Sequence, residues 1–267
     1  MRVNTDYYLY MNNIEADEIE LGENVVISPS ASIRGANGKA KRVYIGDNTY
    51  IGDHVQILVD DFRIGDYCKV HHHTNFHGYK PLSIGHNAWI GQGSLIDSIG
   101  GTTIGDNCGI GAYSQLWSHI RYGDPLEGCN YESSNPLTVG KDVWFVGHCI
   151  VSPIVAEDKS MALVGSVVTN DMKENHIYGG SPAKDLTDKI KPQFTPLTIE
   201  QKRGLMSQFR ISSDIKLIES RDEIENPEKI SYFNIVDRTY TKRRSENEVA
   251  FMKELQSKLI KFTPLSL

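Results

Sequence analysis

Nine histidines punctuate a chain of 267 residues, and one of them, His119, stands where general-base chemistry could be done. It lies three residues past Leu116 in the stretch GIGAYSQLWSHIRYGD, beside Tyr113, Gln115 and Trp117. An imidazole with its ordinary pKa of about 6.5 accepts a proton at neutral pH. At the mouth of a loop it could deprotonate a hydroxyl or ammonium group attacking an acyl carbonyl, help typically worth about 10²- to 10⁴-fold. The plainer alternative is a turn histidine hydrogen-bonded to backbone. His71, His72, His73 and His77 cluster in VHHHTNFHG and invite a metal site. Consecutive residues of an extended chain point to opposite faces, so at most two share a direction, whereas zinc takes three or four ligands. No metal is expected within one chain; a site shared between chains stays open. His54, His86 and His148 fall at corner positions and are expected in solvent, and His176 precedes an exit loop where it could line a ligand groove.

Holding such a side chain calls for a rigid frame, and the spacing of the apolar residues supplies one. Ile45-Gly46, Ile51-Gly52, Ile64-Gly65, Ile84-Gly85, Ile90-Gly91, Ile104-Gly105, Ile110-Gly111 and Val139-Gly140 recur on a six-residue beat. Ile57, Val70, Phe76, Ile96, Leu116 and Phe145 keep the beat without the glycine. A short fixed period of this kind marks a parallel β-helix built from hexapeptides. Each aliphatic points inward from a short strand, and the small residue after it lets the backbone turn. Three units close a triangular coil of about 18 residues, stacked on the next at about 4.8 Å. One coil cannot bury its own apolar face, so at least three must stack. Leu21 to Leu116 has room for about five coils, and Val139 to Thr169 for about two more. An α-helical reading fails, because steps of six set successive aliphatics roughly 240° apart, and each interior glycine would cost about 1 kcal/mol.

The breaks in the beat are informative too. Ile96-Asp97-Ser98-Ile99-Gly100-Gly101 carries about two extra residues and reads as an out-turned corner. A longer break, WSHIRYGDPLEGCNYESSNP over residues 117–136, is polar and rich in turn formers, and loops of this length usually carry function. Past Lys191 the rhythm stops. The expected organisation is a mainly β domain over 1–191, with loop 117–136 extruded, and a small α/β appendage over 192–267. Thr198-x-x-Gln201 and Ser245-x-x-Glu248 are capping boxes. The first opens a helix to about Phe209; the second precedes an apolar face of Val249, Met252, Leu255, Leu259 and Ile260. Between them, residues 230–240 (ISYFNIVDRTY) read as a strand.

Composition narrows the classes. A net charge of −6 advertises no nucleic-acid surface, and no apolar run approaches the roughly 18 residues of a membrane span. The N-terminal MRVNTDYYLYMNNIEADE shows no h-region or cleavage site, so a cytoplasmic location is the expectation. The four cysteines, Cys68, Cys108, Cys129 and Cys149, form no CxxC pair or disulfide framework; three sit inside the repeat as small core or corner residues.

The segment from Asn135 to Lys184 contains Val143-Trp144, then Gly165-Ser166-Val167-Val168-Thr169, then Gly180-Ser181-Pro182-Ala183-Lys184. In that order and spacing it resembles the final coils of hexapeptide-repeat acyltransferases of the sugar, xenobiotic and capsule acetyltransferase type. The likeness covers about Val43 to Leu186 and departs from the family where Asn170 replaces a common lysine and where SPIVAEDKSMALVG loses a glycine step. The resemblance implies a left-handed parallel β-helix, a homotrimer with sites in the grooves between neighbouring prisms, and acetyl-CoA as co-substrate along each groove. By motif position it implies that His119 is the general base. A pantetheine arm suits backbone donors beside small residues such as Gly165, Ser166 and Thr169; Trp144 would form apolar groove wall, and Lys173 and Lys184 would meet CoA phosphates as point charges.

The function this implies is direct transfer of an acetyl group to a hydroxyl or amine of a sugar, nucleotide-sugar or glycan precursor. Gln92, Asp97, Tyr113, Arg121, Tyr122 and Asp124 are candidate acceptor contacts. Two rivals stand beside it. A γ-carbonic anhydrase-like zinc protein shares the prism, but Trp89-Ile90-Gly91 stands where that family has a histidine. A non-catalytic β-helix scaffold would have no use for His119 beside the Trp144 and GSPAK elements.

Overall fold

A computed structural model describes residues 13–265. Residues 1–12, which carry most of the segment searched for a leader, lie outside them. The chain divides into two compact units between Phe194 and Thr195.

In the first unit the six-residue beat becomes a three-sided parallel β-helix. One circuit runs through the strands Ala40–Ile45, Tyr50–Ile51 and Gln56–Val59, then returns to Asp61–Ile64 on the starting face. Each strand pairs in parallel with the one a coil later: Ile45 with Ile64, Ile51 with Val70, Ile57 with Phe76. The strand Ile14–Leu21 pairs with Ser32–Arg34 and with Ala40–Ile45, so the first and third faces form one fourteen-stranded sheet; the second face belongs to a nine-stranded one. The aliphatics of the beat fill the prism, and Ile45, Ile51, Ile57, Val70, Ile90, Ile110 and Phe145 are wholly buried. Cys68, Cys108 and Cys149 are buried among them, while Cys129 is exposed. Burial pushes the Cys68 thiol up to about 12.

Two details differ from the hexapeptide expectation. The register of Ile51, Val70, Ile90 and Ile110 sets these coils at nineteen or twenty residues rather than eighteen. The added residues (79–81 and 98–101) lie between third-face and first-face strands and widen that corner. The corner between the first and second faces is tied by a ladder of side chains accepting backbone N–H bonds from the neighbouring coil. Asp47 accepts from Glu23, Asp66 from Asp47, Asp106 from His86 and Asp158 from Lys141, at 2.7–2.9 Å. One rung is an imidazole: His86 Nδ1 accepts from Asp66 N–H at 2.9 Å. His86 is therefore a part of the frame and not the solvated corner residue its spacing suggests.

The second unit is a small α/β fold. Its four-stranded sheet has the order Ile215–Ile218, Ser231–Asn234, Thr239–Tyr240, Thr263–Pro264. The helix Ile199–Met206 carries the full Thr198/Gln201 capping box. Ser245 caps the helix Glu246–Ser257, but Glu248 reaches past it to the N–H groups of Arg243 and Arg244. The stretch 230–240 is a hairpin rather than one strand, because Asn234 Oδ1 accepts from Val236 and Asp237 and turns the chain back. The buried helix face is Phe251, Met252 and Leu255; Leu259 lies past the helix end and is exposed. Among the described residues, no helix is long and apolar enough to cross a membrane.

Candidate active site

The widened corner is where chemistry-bearing side chains converge. The third-face strand Leu95–Asp97 pairs with Gln115–Leu116, aligning Ile96 with Leu116. Asp97 and Trp117 therefore leave the face together, and the chain reaches Ser118 and His119 over the carboxylate. Asp97 is 0% exposed. Its Oδ2 accepts from Ser118 N–H (2.9 Å), from Ser118 Oγ (2.6 Å) and lies 2.8 Å from His119 Nδ1. Ser118 Oγ in turn accepts from Gly100 N–H, which directs its own proton to Asp97. A carboxylate gripped this way is an acceptor, so the contact suits Nδ1–H of His119 and turns Nε2 away from Asp97. The imidazole ring meets Trp117 edge-on, centroids 6.1 Å apart, and its side chain is 20% exposed.

Gly100 makes this approach possible. A Cβ there would lie 1.9 Å from Ser118 O and 2.7 Å from Asn135 O, so both ends of the excursion pass over one glycine. From this root the loop runs out as a hairpin: Ile120 and Ser133 exchange backbone bonds at 2.7 Å, and Arg121 pairs with Glu132 at 3.2 Å. Asp124 caps the short turn Pro125–Glu127 by accepting from Leu126 N–H. Tyr122 is fully exposed.

Several expected site residues sit elsewhere. Asp97, expected to touch the acceptor, is wholly buried, with Ser118 and His119 bonded to its Oδ2. Gln92 and Tyr113 lie at the corner before the third face, the opposite end of the short strand from His119. Tyr113 lies across Gly93, where a Cβ would fall 2.6 Å from the ring and φ is +66°. Asp124 is occupied with its own turn. The donors at Gly165 and Ser166 are spent inside the coil: Gly165 N–H on Gly147 O, and Ser166 N–H and Oγ on Leu163 O. Thr169 is exposed two coils above Trp117 in the same corner column. Trp144 is 43% exposed on the second face, Lys184 is exposed on the strand Ala183–Asp185, and Lys173 is exposed with its N–H on Tyr178 Oη.

Of the remaining histidines, one reaches this carboxylate and the others lie elsewhere, His72 meeting His73 edge-on at 5.5 Å. His73 stacks on His54 at 5.0 Å, and His71 packs on Trp89, where burial, then His72 and Lys69, hold its pKa below the ordinary value. His77 is on the strand Asn75–Gly78, facing Asp97 with Nε2 3.4 Å from Oδ1. No group of three or more His, Cys, Asp or Glu side chains among the described residues is placed to hold a metal ion. A further histidine–carboxylate pair, His176 Nδ1 with Asp185 Oδ2 at 2.7 Å, spans the exit hairpin. Ser118 was not singled out from the sequence, and His77 only within the metal-like cluster; aligning the coils on Phe76, Ile96 and Leu116 sets His77 level with Asp97 and Ser118 one residue beyond it.

No family model matches the chain. Among curated proteins it is similar to the bifunctional protein GlmU of Acaryochloris marina, 26% identical over 181 residues that cover 61% of this chain and 39% of that protein. It is likewise similar to GlmU of Clostridium beijerinckii, 26% identical over 195 residues, 66% of this chain and 37% of that protein. The chain thus spans about two fifths of the length of these relatives. Similar solved structures include a hexapeptide-repeat acetyltransferase of Vibrio cholerae complexed with acetyl coenzyme A (20% identity, 54% of this chain and 69% of that chain, TM-score 0.40). Another is the N-acyltransferase AntD of Bacillus cereus with dTDP and coenzyme A (18% identity, 77% and 98%, TM-score 0.46).

Proposed function

We propose that this chain transfers an acetyl group from acetyl-CoA to a hydroxyl or amine of a sugar, nucleotide-sugar or glycan precursor, with His119 as general base. The observation that carries this reading is the buried Asp97 holding His119 Nδ1 at 2.8 Å at the root of the extruded loop. That contact fixes the tautomer, leaves Nε2 as the free acceptor and steadies the imidazolium formed when it takes a proton. Nε2 removes the proton of the acceptor as its oxygen or nitrogen attacks the thioester carbonyl. The tetrahedral oxyanion is met by backbone N–H groups. Collapse breaks the carbon–sulfur bond, and the imidazolium returns its proton to the leaving thiolate.

Cofactor contacts belong to Trp144, Thr169, Lys173 and Lys184 in this reading, and Arg121 and Tyr122 reach the acceptor from the loop. Trp144 and His119 lie on different sides of one prism. Both can serve one site only where a neighbouring copy completes a groove, which supports a homotrimer. The transfer is placed in residues 1–191, with 192–267 as an appendage. The test is incubation with acetyl-CoA and a panel of sugars and nucleotide sugars, following release of free thiol. A His119→Ala protein that binds acetyl-CoA and still transfers at full rate would remove the base from the mechanism.

A further inference from the structure

Asp97 has two carboxylate oxygens, and the proposed base uses one of them. Oδ2 takes Ser118 N–H, Ser118 Oγ–H and His119 Nδ1–H. Oδ1 takes a long bond from Ile99 N–H, 3.4 Å, and faces His77 Nε2 at the same distance. The register that brings His77 there is fixed, since Leu58, His77 and Asp97 are consecutive partners across three strands of the third face. The carboxylate is wholly buried, whereas the His77 side chain is 33% exposed, so His77 exchanges protons with solvent and Asp97 cannot be hydrated. At 3.4 Å the contact is an ion-pair distance, one that gains strength only when His77 is charged.

We infer that His77 is a positioning residue for the base: it and His119 form a coupled pair through the one carboxylate of Asp97. Each imidazolium is stabilised by that carboxylate and opposed by the other imidazolium. Two like charges held against one buried carboxylate oppose each other, so the protonation of either ring bears on that of the other. His77 has Asp97 beside it on the strand Leu95–Asp97 and Leu58 on Gln56–Val59, with Tyr79 and Lys80 following it in its own turn, while His119 meets the other oxygen of the same Asp97. Protonated His77 draws on the charge that steadies the His119 imidazolium. Neutral His77 leaves that charge to the base. His77 so sets the pH below which His119 stops accepting protons. The consequence for rate rests on the proposed acetyl transfer; the coupling itself does not.

The experiment is an NMR titration of the histidine rings in the full chain, for the wild type, His77→Gln and His77→Lys. Glutamine is neutral at every pH; lysine fixes the positive charge. The His119 curve is expected to move to higher pH in His77→Gln and to lower pH in His77→Lys. The acid limb of thiol release should follow the same order. A His119 curve identical in the three proteins, or shifted in the opposite sense, overturns the inference. Should either variant fail to melt cooperatively, the wild-type curves decide: His77 and His119 each following an independent single-proton curve overturns it, and matched departures from that shape support it. Shifted titrations without thiol release from any protein would leave the coupling standing and sink the acetyltransferase reading instead.

Discussion

Two histidine–carboxylate pairs in the first unit are chemically near twins. Asp97 is met by Ser118 N–H, Ser118 Oγ–H and His119 Nδ1; Asp185 is met by Thr187 N–H, Thr187 Oγ1–H and His176 Nδ1. What separates them is place. Asp97 is fully buried, all three donors crowd one oxygen, and the pair stands at the root of a loop. Asp185 is 38% exposed, its donors are divided between its oxygens, and the pair bridges the two strands of a hairpin whose backbone is already bonded. A carboxylate in solvent does not need its histidine; a buried one does, and it holds the ring rigidly in return. The same residue types thus sit as a rigid buried pair in one place and an exposed hairpin clamp in the other.

The largest test of this contrast replaces each histidine. His119→Ala should lower the rate of acetyl transfer by about 10²- to 10⁴-fold, while His176→Ala should change it by no more than about twofold, as expected of a surface pair. Comparable losses from both would show that the geometry at Asp97 confers nothing special. Next comes the carboxylate. Asp97→Asn keeps the shape but offers an N–H where only acceptors fit, leaving a buried donor opposed. It should cost on the order of 1–3 kcal/mol of stability and reduce the rate by about 10-fold or more, with the melting curve read alongside thiol release.

A smaller effect is expected at the loop root. Gly100→Ala would push a methyl into Ser118 O and Asn135 O, both of them backbone, so the chain ends over Asp97 must separate. Overpacking of this kind costs about 1–3 kcal/mol, and the displaced Ser118 should bring a several-fold fall in rate without loss of acetyl-CoA binding. A variant with unchanged rate would mean that the loop root does not position His119.

The prism was legible in the sequence because one inward aliphatic per six residues is a strong, local and repeated constraint. Ile51, Val70, Ile90 and Ile110 need no partner beyond each other to reveal the stack. His119 was legible for the opposite reason: it stands where the pattern fails. The burial of Asp97 was not legible, since it depends on Ser118 and Gly100, eighteen residues apart and brought together only by the register of adjoining coils. His86 was misread because nothing in its spacing shows that its ring replaces a carboxylate in a ladder of backbone bonds. The single strand read over 230–240 became a hairpin through one side chain, Asn234, a turn signal hidden among β-forming neighbours.

The smallest effect belongs to the clamp and concerns stability alone. The hydrogen bond from Thr187 Oγ1 is the first cause, with the Thr187 N–H and His176 contacts adding to it, that lowers the Asp185 pKa to about 2. The unfolded chain returns this group to about 3.9. A carboxylate whose pKa is depressed by folding contributes stability that is complete above the unfolded value. That stability is lost as pH falls through the folded one. Between pH 4 and 2, therefore, the wild type should lose melting temperature through Asp185, and Asp185→Asn should show a shallower decline over that window with an unchanged slope above about pH 5. Solvent screening keeps the difference small, because the pair is more than a third exposed. Parallel slopes for wild type and variant between pH 4 and 2 would show that Asp185 holds the hairpin no more tightly than water holds it, and the likeness between the two pairs would then end at their distances.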